Sequence, residues 1–196
     1  MHYILIELLF KEGINLKKTL GLIETSSISK GMEILDTILK RTKIGLITGR
    51  PICPGKYLII IEGTVQTIDF ALEVSRAIGE KAILYSDAVN NLNEQVFYAL
   101  KEKKKPENVE ALGIIETRTA IASIVLADVI CDSSNVELIT LKLANGMGGK
   151  GLLIFAGNVS SVKNAIQSAK YHDVQYKKII ESVLLSNPDN RLIDSI

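Results

Sequence analysis

One hexapeptide occurs twice. Leu20-Gly21-Leu22-Ile23-Glu24-Thr25, "LGLIET", returns 92 positions later as Leu112-Gly113-Ile114-Ile115-Glu116-Thr117, "LGIIET". The spacing then holds: Asp36 falls on Asp128, Ile44 on Val136, and "LIT" at 46–48 on "LIT" at 138–140. Past an intervening loop it becomes 94, so that Gly55-Lys56 falls on Gly149-Lys150 and Gly63 on Gly157. The second loop is therefore two residues longer. A chain that repeats itself in this way folds as two copies of one unit. The copies are read at 19–106 and 107–196, meeting near the charged, proline-containing "KEKKKPEN" at 101–108, with residues 1–18 as an N-terminal extension.

Each copy carries the same order of elements. "LGLIETS" reads as a strand, with Ser26 or Ser27 placed to cap the helix that follows. Ile28, Met32, Leu35, Ile38 and Leu39 then recur at helical spacing. "KIGLIT" and "KYLIIIEG" are strands joined by "GRPICPG". A second helix has the stripe Val65, Ile68, Leu72 and Ser75, repeated as Val159, Val162, Ile166 and Ala169. "KAILYS" is a fourth strand and "NLNEQVFYALKEK" a short terminal helix. The order βαββαβ, twice over, predicts an α+β protein of two tandem ferredoxin-like units.

Composition removes several classes of function. The 23 basic and 22 acidic residues cancel, leaving no broad field for nucleic acid and no polybasic membrane anchor. No apolar run reaches the ~20 residues that span a bilayer. The apolar start "MHYILIELLF" lacks a basic first segment and a small-residue cleavage site, and two unrelated cysteines make no disulfide framework, so the expected setting is the cytoplasm. His2 and His172 are the only histidines, too few for a triad or a histidine-rich metal site, and no enzyme activity is expected. Gly55-Lys56 and Gly149-Lys150 evoke a phosphate-binding loop. That motif needs an earlier glycine where Arg50 and Ala144 stand, and a hydroxyl where Tyr57 and Gly151 stand.

Two residues stand out against this background. Cys131 matches Leu39 and is expected to be a small core hydrophobe. Cys53 has no such place: it lies between Pro51 and Pro54 in a glycine-rich turn, and its counterpart stretch "LANGMGG" has no cysteine. Read from residues alone, Cys53 is either an exposed structural thiol or a metal ligand.

"LGLIETSSISKGMEILD", the strand-loop-strand hairpin and "GTVQTIDFALEVS" together resemble the bacterial microcompartment shell domain. Two such domains in one chain resemble the tandem-domain shell proteins, whose trimers imitate the hexamers of single-domain relatives. "ICPGKY" and "GMGGKG…AGNVSSVKNAI" are similar to members of that family from propanediol-utilising compartments. The resemblance implies a non-enzymatic tile: a homotrimer in which the units are related by about 60°, packed edge to edge with other shell proteins in a microcompartment shell. It places the loops 49–56 and 141–150 around a central opening, lined by Pro51, Ile52, Cys53, Pro54, Gly55 and Lys56 and by Asn145, Gly146, Met147, Gly148 and Gly149. It implies that three copies of Cys53, one per subunit, hold a 4Fe–4S cluster serving electron transfer across the shell, with an encapsulated redox enzyme as a partner. Lys56 would then offset the cluster's charge. Lys40 stands where such proteins place an edge lysine, and its counterpart is Asp132. The alternative function is a small-molecule-binding regulator with its ligand between the units.

Overall fold

The computed structural model describes residues 19–100, 109–144 and 146–196. The extension at 1–18, the joint at 101–108 and Asn145 lie outside these residues. The first unit runs β1 (Thr19–Thr25), α1 (Ile28–Arg41), β2 (Gly45–Ile52), β3 (Lys56–Gly63), α2 (Val65–Gly79), β4 (Ile83–Val89) and a short α3 (Glu94–Ala99). The second runs β5 (Ala111–Thr117), α4 (Ala120–Ser133), β6 (Glu137–Leu143), β7 (Gly151–Gly157), α5 (Val159–Asp173), β8 (Ile179–Ser186) and α6 (Asn190–Ile193). Each forms one antiparallel sheet, ordered β2-β3-β1-β4 and β6-β7-β5-β8. This is the expected α+β fold of two βαββαβ units.

The copies agree down to their irregularities. β2 slips register on β3 between Leu46 and Thr48, and β6 slips on β7 between Leu138 and Thr140. The central strands shift against β4 and β8 between Glu24 and Thr25 and between Glu116 and Thr117. Because a bulge re-aims every side chain beyond it, the shared bulges keep matched residues on the same face of the sheet in both units. Helix starts are fixed by hydroxyl caps: Ser27 accepts from the Lys30 N–H and Thr119 from the Ala122 N–H, each satisfying a donor with no partner within the helix.

The first unit's helices cover one face of its sheet. Ile23, Ile59 and Ile61 meet Ile34, Ile38 and Ile68 there. Alternation along the strands sends Leu20, Leu22, Leu58 and Ile60 to the opposite face. Those four belong to the same apolar cluster as Ala120, Ile121 and Ile124 of α4, so the second unit packs on the helix-free face of the first sheet. α4 thus lies between two sheets, and almost every position in its first half is buried.

This layering corrects the expected stripe of α1. Leu35 and Ile38 are buried, but Ile28, Met32 and Leu39 are exposed, and Ile34 takes the inward place instead. Val65 and Val159, at the starts of α2 and α5, are exposed as well. The periodicity of α1 contains residues that face away from its own sheet and stay exposed, with no cover among the described residues. Cys131 is likewise only half-buried, although it packs against the core.

Candidate functional site

β2 is an edge strand and continues through Ile52, so residues 49–52, expected as loop, belong to the sheet. Pro51 is tolerated there because an edge strand has one row of amides that needs no partner. The turn is only Cys53-Pro54-Gly55, all three exposed, with Gly55 at φ 70° in open space. Of the residues expected to line an opening, Ile52 is buried in the core and Lys56 starts β3. Of the second hairpin's residues expected to line it, Gly146 and Gly148 are exposed, Met147 is half-buried and Gly149 is buried. The Ala144 N–H donates to the Lys150 carbonyl at 3.0 Å and the Lys150 N–H to that of Met147 at 3.1 Å, closing this loop on itself.

The two hairpins touch. A Cβ at Gly149 would lie 2.6 Å from the Cys53 carbonyl oxygen, and its φ of 87° is itself a glycine conformation. Only glycine lets the second loop approach the first this closely. Arg50 adds a tie, its Nη2 donating to the Leu143 carbonyl at 2.8 Å. The fold therefore brings together the two loops that the repeat made equivalent.

The repeated Gly-Lys pairs have a structural role. Lys56 Nζ lies 2.7 Å from Glu24 Oε1, and Lys150 Nζ lies 3.0 Å from Glu116 Oε2. Each lysine after a hairpin glycine turns back to the glutamate of "LGLIET" or "LGIIET". Glu24 is fully buried, and its Oε2 has no hydrogen-bond partner among the described residues, so Lys56 is what keeps that charge compensated. Lys56 is thus engaged with Glu24 in the single chain. The signal was present in sequence, since Glu and Lys recur together in both copies.

Within one chain, no group of three or more His, Cys, Asp or Glu among the described residues can hold a metal. Cys53 is exposed on a turn braced by the second hairpin. Its donor chemistry fits an iron–sulfur centre, but one thiolate cannot hold a cluster, so such a centre would need Cys53 from several chains. Cys131 does not fit. Burial, then the neighbouring Asp128 and Asp132, push its thiol up to about 12, which leaves it protonated and inert.

Lys40 lies in the last turn of α1, exposed, with its ammonium 2.6 Å from Asp36. Its counterpart Asp132 instead accepts from Asn93 Nδ2 at 2.8 Å. Asn93 and its neighbour Gln95 were not singled out by sequence. Gln95 Nε2 donates to the Val136 carbonyl at 3.1 Å, and its Oε1 accepts from the Leu138 N–H at 2.9 Å. α3 therefore clasps the edge of the second sheet. His172 stacks on Tyr176 beside a cleft of about 190 Å³ between the units, smaller than the roughly 300–1,000 Å³ of ordinary ligand pockets.

Two sheets of one topology, paired hairpins and a tandem repeat are the features to compare with known proteins. The BMC domain matches the chain twice, over residues 19–91 and 111–188. The chain belongs to the BMC shell-protein family. It is 33% identical over 154 residues to the bacterial microcompartment shell protein PduT of Citrobacter freundii, covering 79% of this chain and 84% of that protein. It is 27% identical over 191 residues to the carboxysome assembly protein CcmO of Synechococcus elongatus, covering 90% and 68%. A microcompartment protein of Desulfitobacterium hafniense superposes with a TM-score of 0.81 at 28% identity, covering 90% of this chain and 98% of that one. The protein is a structural component of a bacterial microcompartment shell with two BMC domains in tandem. No helix among the described residues is long and apolar enough to cross a membrane.

Proposed function

We propose that this shell protein is a trimeric, pseudohexameric tile whose Cys53 thiolates, three per trimer, hold a 4Fe–4S cluster at a central opening. The observation that carries this reading is the packing of the Cys53 turn against Gly149 of the second hairpin. Six such hairpins, alternating in kind, would surround the axis of a trimer. Bound there, the cluster would supply one-electron transfer across the shell, to or from an encapsulated redox enzyme. The chain's own contribution is a rigid mount. Pro54 restricts the backbone beside the thiol, Gly149 admits the turn, and Arg50 ties the hairpins together. Lys56 and Glu24 form a compensated pair behind the turn and add no net charge to it. Pairing between tiles is proposed to use Lys40 at the rim.

The test is anaerobic reconstitution with iron and sulfide of the parent and of Cys53→Ser, after light scattering has established the trimer. The parent should turn brown and bind iron in proportion to trimer, and the variant should do neither. Equal absorbance and iron in both would end the cluster proposal, and a monomer by light scattering would end the tile. For the rim, Lys40→Ala should form fewer sheets under electron microscopy, and unchanged sheets would remove Lys40 from that role.

A further inference from the structure

The chain contains one finished contact and both halves of another. In the finished one, α3 of the first unit sits on the second. The Asn93 N–H donates to Asp128 Oδ1 at 2.8 Å, its side chain reaches Asp132, and Gln95 bridges Val136 and Leu138. Val96 is fully buried beneath.

Strand register fixes the equivalent of each part. Val89 lies opposite Leu20 as Leu185 lies opposite Leu112, which sets Asn93 on Asp189, Gln95 on Arg191 and Val96 on Leu192. The two segments also share their conformation. Asn91 and Asn187 both take positive φ, 55° and 49°, and Asn93 and Asp189 each cap a helix by accepting from the N–H two residues on. On the receiving side, Asp132 corresponds to Lys40, and Val136 and Leu138 correspond to Ile44 and Leu46. Among the described residues nothing occupies that side. Leu46 is 46% exposed where Leu138 is 4%, and Leu192 is 41% exposed where Val96 is 0%.

The contact joins unlike surfaces, so it is heterologous and repeats until a ring closes. Two units cannot close it, since α6 would then cover Lys40 and Leu46 of its own chain, and both are exposed. The substitutions on the two sides are complementary. The amide-to-carboxylate pair Asn93–Asp132 becomes carboxylate and ammonium, Asp189 and Lys40. Arg191 can donate to a carbonyl as Gln95 does but cannot accept from an N–H, so one of Gln95's two bonds has no equivalent.

We infer that α6 of each subunit docks on the first unit of the next copy, with Asp189 against Lys40 of the partner subunit and Leu192 over Leu46 of the partner subunit. Arg191 would donate to the carbonyl of Ile44 of the partner subunit. Lys40 can keep Asp36 as well, because an ammonium has three donors. The assembly then has two kinds of seam, one held by amides within a chain and one held by ions between chains. Salt weakens only the second. This inference rests on the oligomeric reading above.

The experiment pairs Lys40→Cys with Asp189→Cys in a chain carrying Cys53→Ser and Cys131→Ala, treated with a short bismaleimide. Asn93→Cys with Asp132→Cys in the same background is the control, expected to link within one chain. The Lys40–Asp189 pair should give covalent dimers and closed covalent trimers in denaturing gels, with light scattering of untreated protein reporting the oligomer. An oligomer without links between chains overturns the docking and spares the tile, as do links confined to single chains; a monomer alone overturns both. Should the variants not fold, carbodiimide coupling of the unaltered protein, assembled from isotope-labelled and unlabelled chains, should yield a mixed-label Lys40–Asp189 peptide. Its absence from an assembled oligomer overturns the docking.

Discussion

Met32 and Ile124 occupy the same point of the repeat in different surroundings. Met32 is 53% exposed on α1, whereas Ile124 is 0% exposed on α4 between its own sheet and the first unit's. The same contrast separates Ile28 from Ala120 and Leu46 from Leu138. Backbone, register and bulges coincide, so the difference arises from neighbours and not from local structure. Two copies of one fold can therefore carry one interface made and one left open. Substitutions at matched positions measure that difference.

The largest effect is expected in the helices. Ile124→Ala removes a side chain packed on both sides and should cost about 2–5 kcal/mol in urea unfolding. Met32→Ala, exposed in the chain, should cost under about 0.5 kcal/mol in dilute protein. Its effect should emerge instead as a steeper dependence of Tm on concentration, because a partner that binds only the folded state stabilises by mass action. Equal losses at both positions would mean that the two helices are not in different environments.

A smaller effect is expected at the clasp. Gln95→Ala leaves the Leu138 N–H and the Val136 carbonyl without their partner and should cost about 1–3 kcal/mol. Arg191→Ala should leave the isolated chain unchanged, since its side chain is exposed and pairs with Asp189, which is exposed as well. Chemical denaturation of both variants in dilute solution measures the comparison.

Much of this was legible in the sequence because the repeat doubled every signal. Strand order, helix order and the hairpin equivalence followed from residues that matched at fixed spacing. The stripe of α1 misled because periodicity records every apolar face, including faces that α1 turns away from its own sheet. Hairpin limits were misjudged because Gly49, Pro51 and neighbouring residues look like loop, and an edge strand accepts them. The pairing of Glu24 with Lys56 was readable in the doubled pattern; the clasp of Asn93 and Gln95 was not. Its second copy carries Asp189 and Arg191, so no repeated residue type marked it.

The smallest effect concerns Asp36 and Asp128, identical residues at matched positions. Asp36 is exposed and pairs with Lys40, whereas Asp128 is half-buried beneath α3. Burial raises the carboxyl of Asp128 above its ordinary 3.8, the Asn93 N–H lowers it, and nearby Asp132 raises it further. The folded protein thus holds this proton more tightly than the unfolded chain does. Asp128 then favours folding fully below its unfolded value, and that contribution is lost as pH rises through the raised folded value. Asp128→Asn keeps an oxygen for Asn93 and removes the charge. It should match the parent near pH 4 and gain on it by pH 7. Asp36→Asn should lose about 0.3–0.5 kcal/mol at neutral pH with its exposed ion pair. Urea unfolding of both variants from pH 4 to 7 decides the matter. Should Asp128→Asn lose ground to the parent as pH rises, the charge on Asp128 would be stabilising, and the two aspartates would not differ in the way their surroundings dictate.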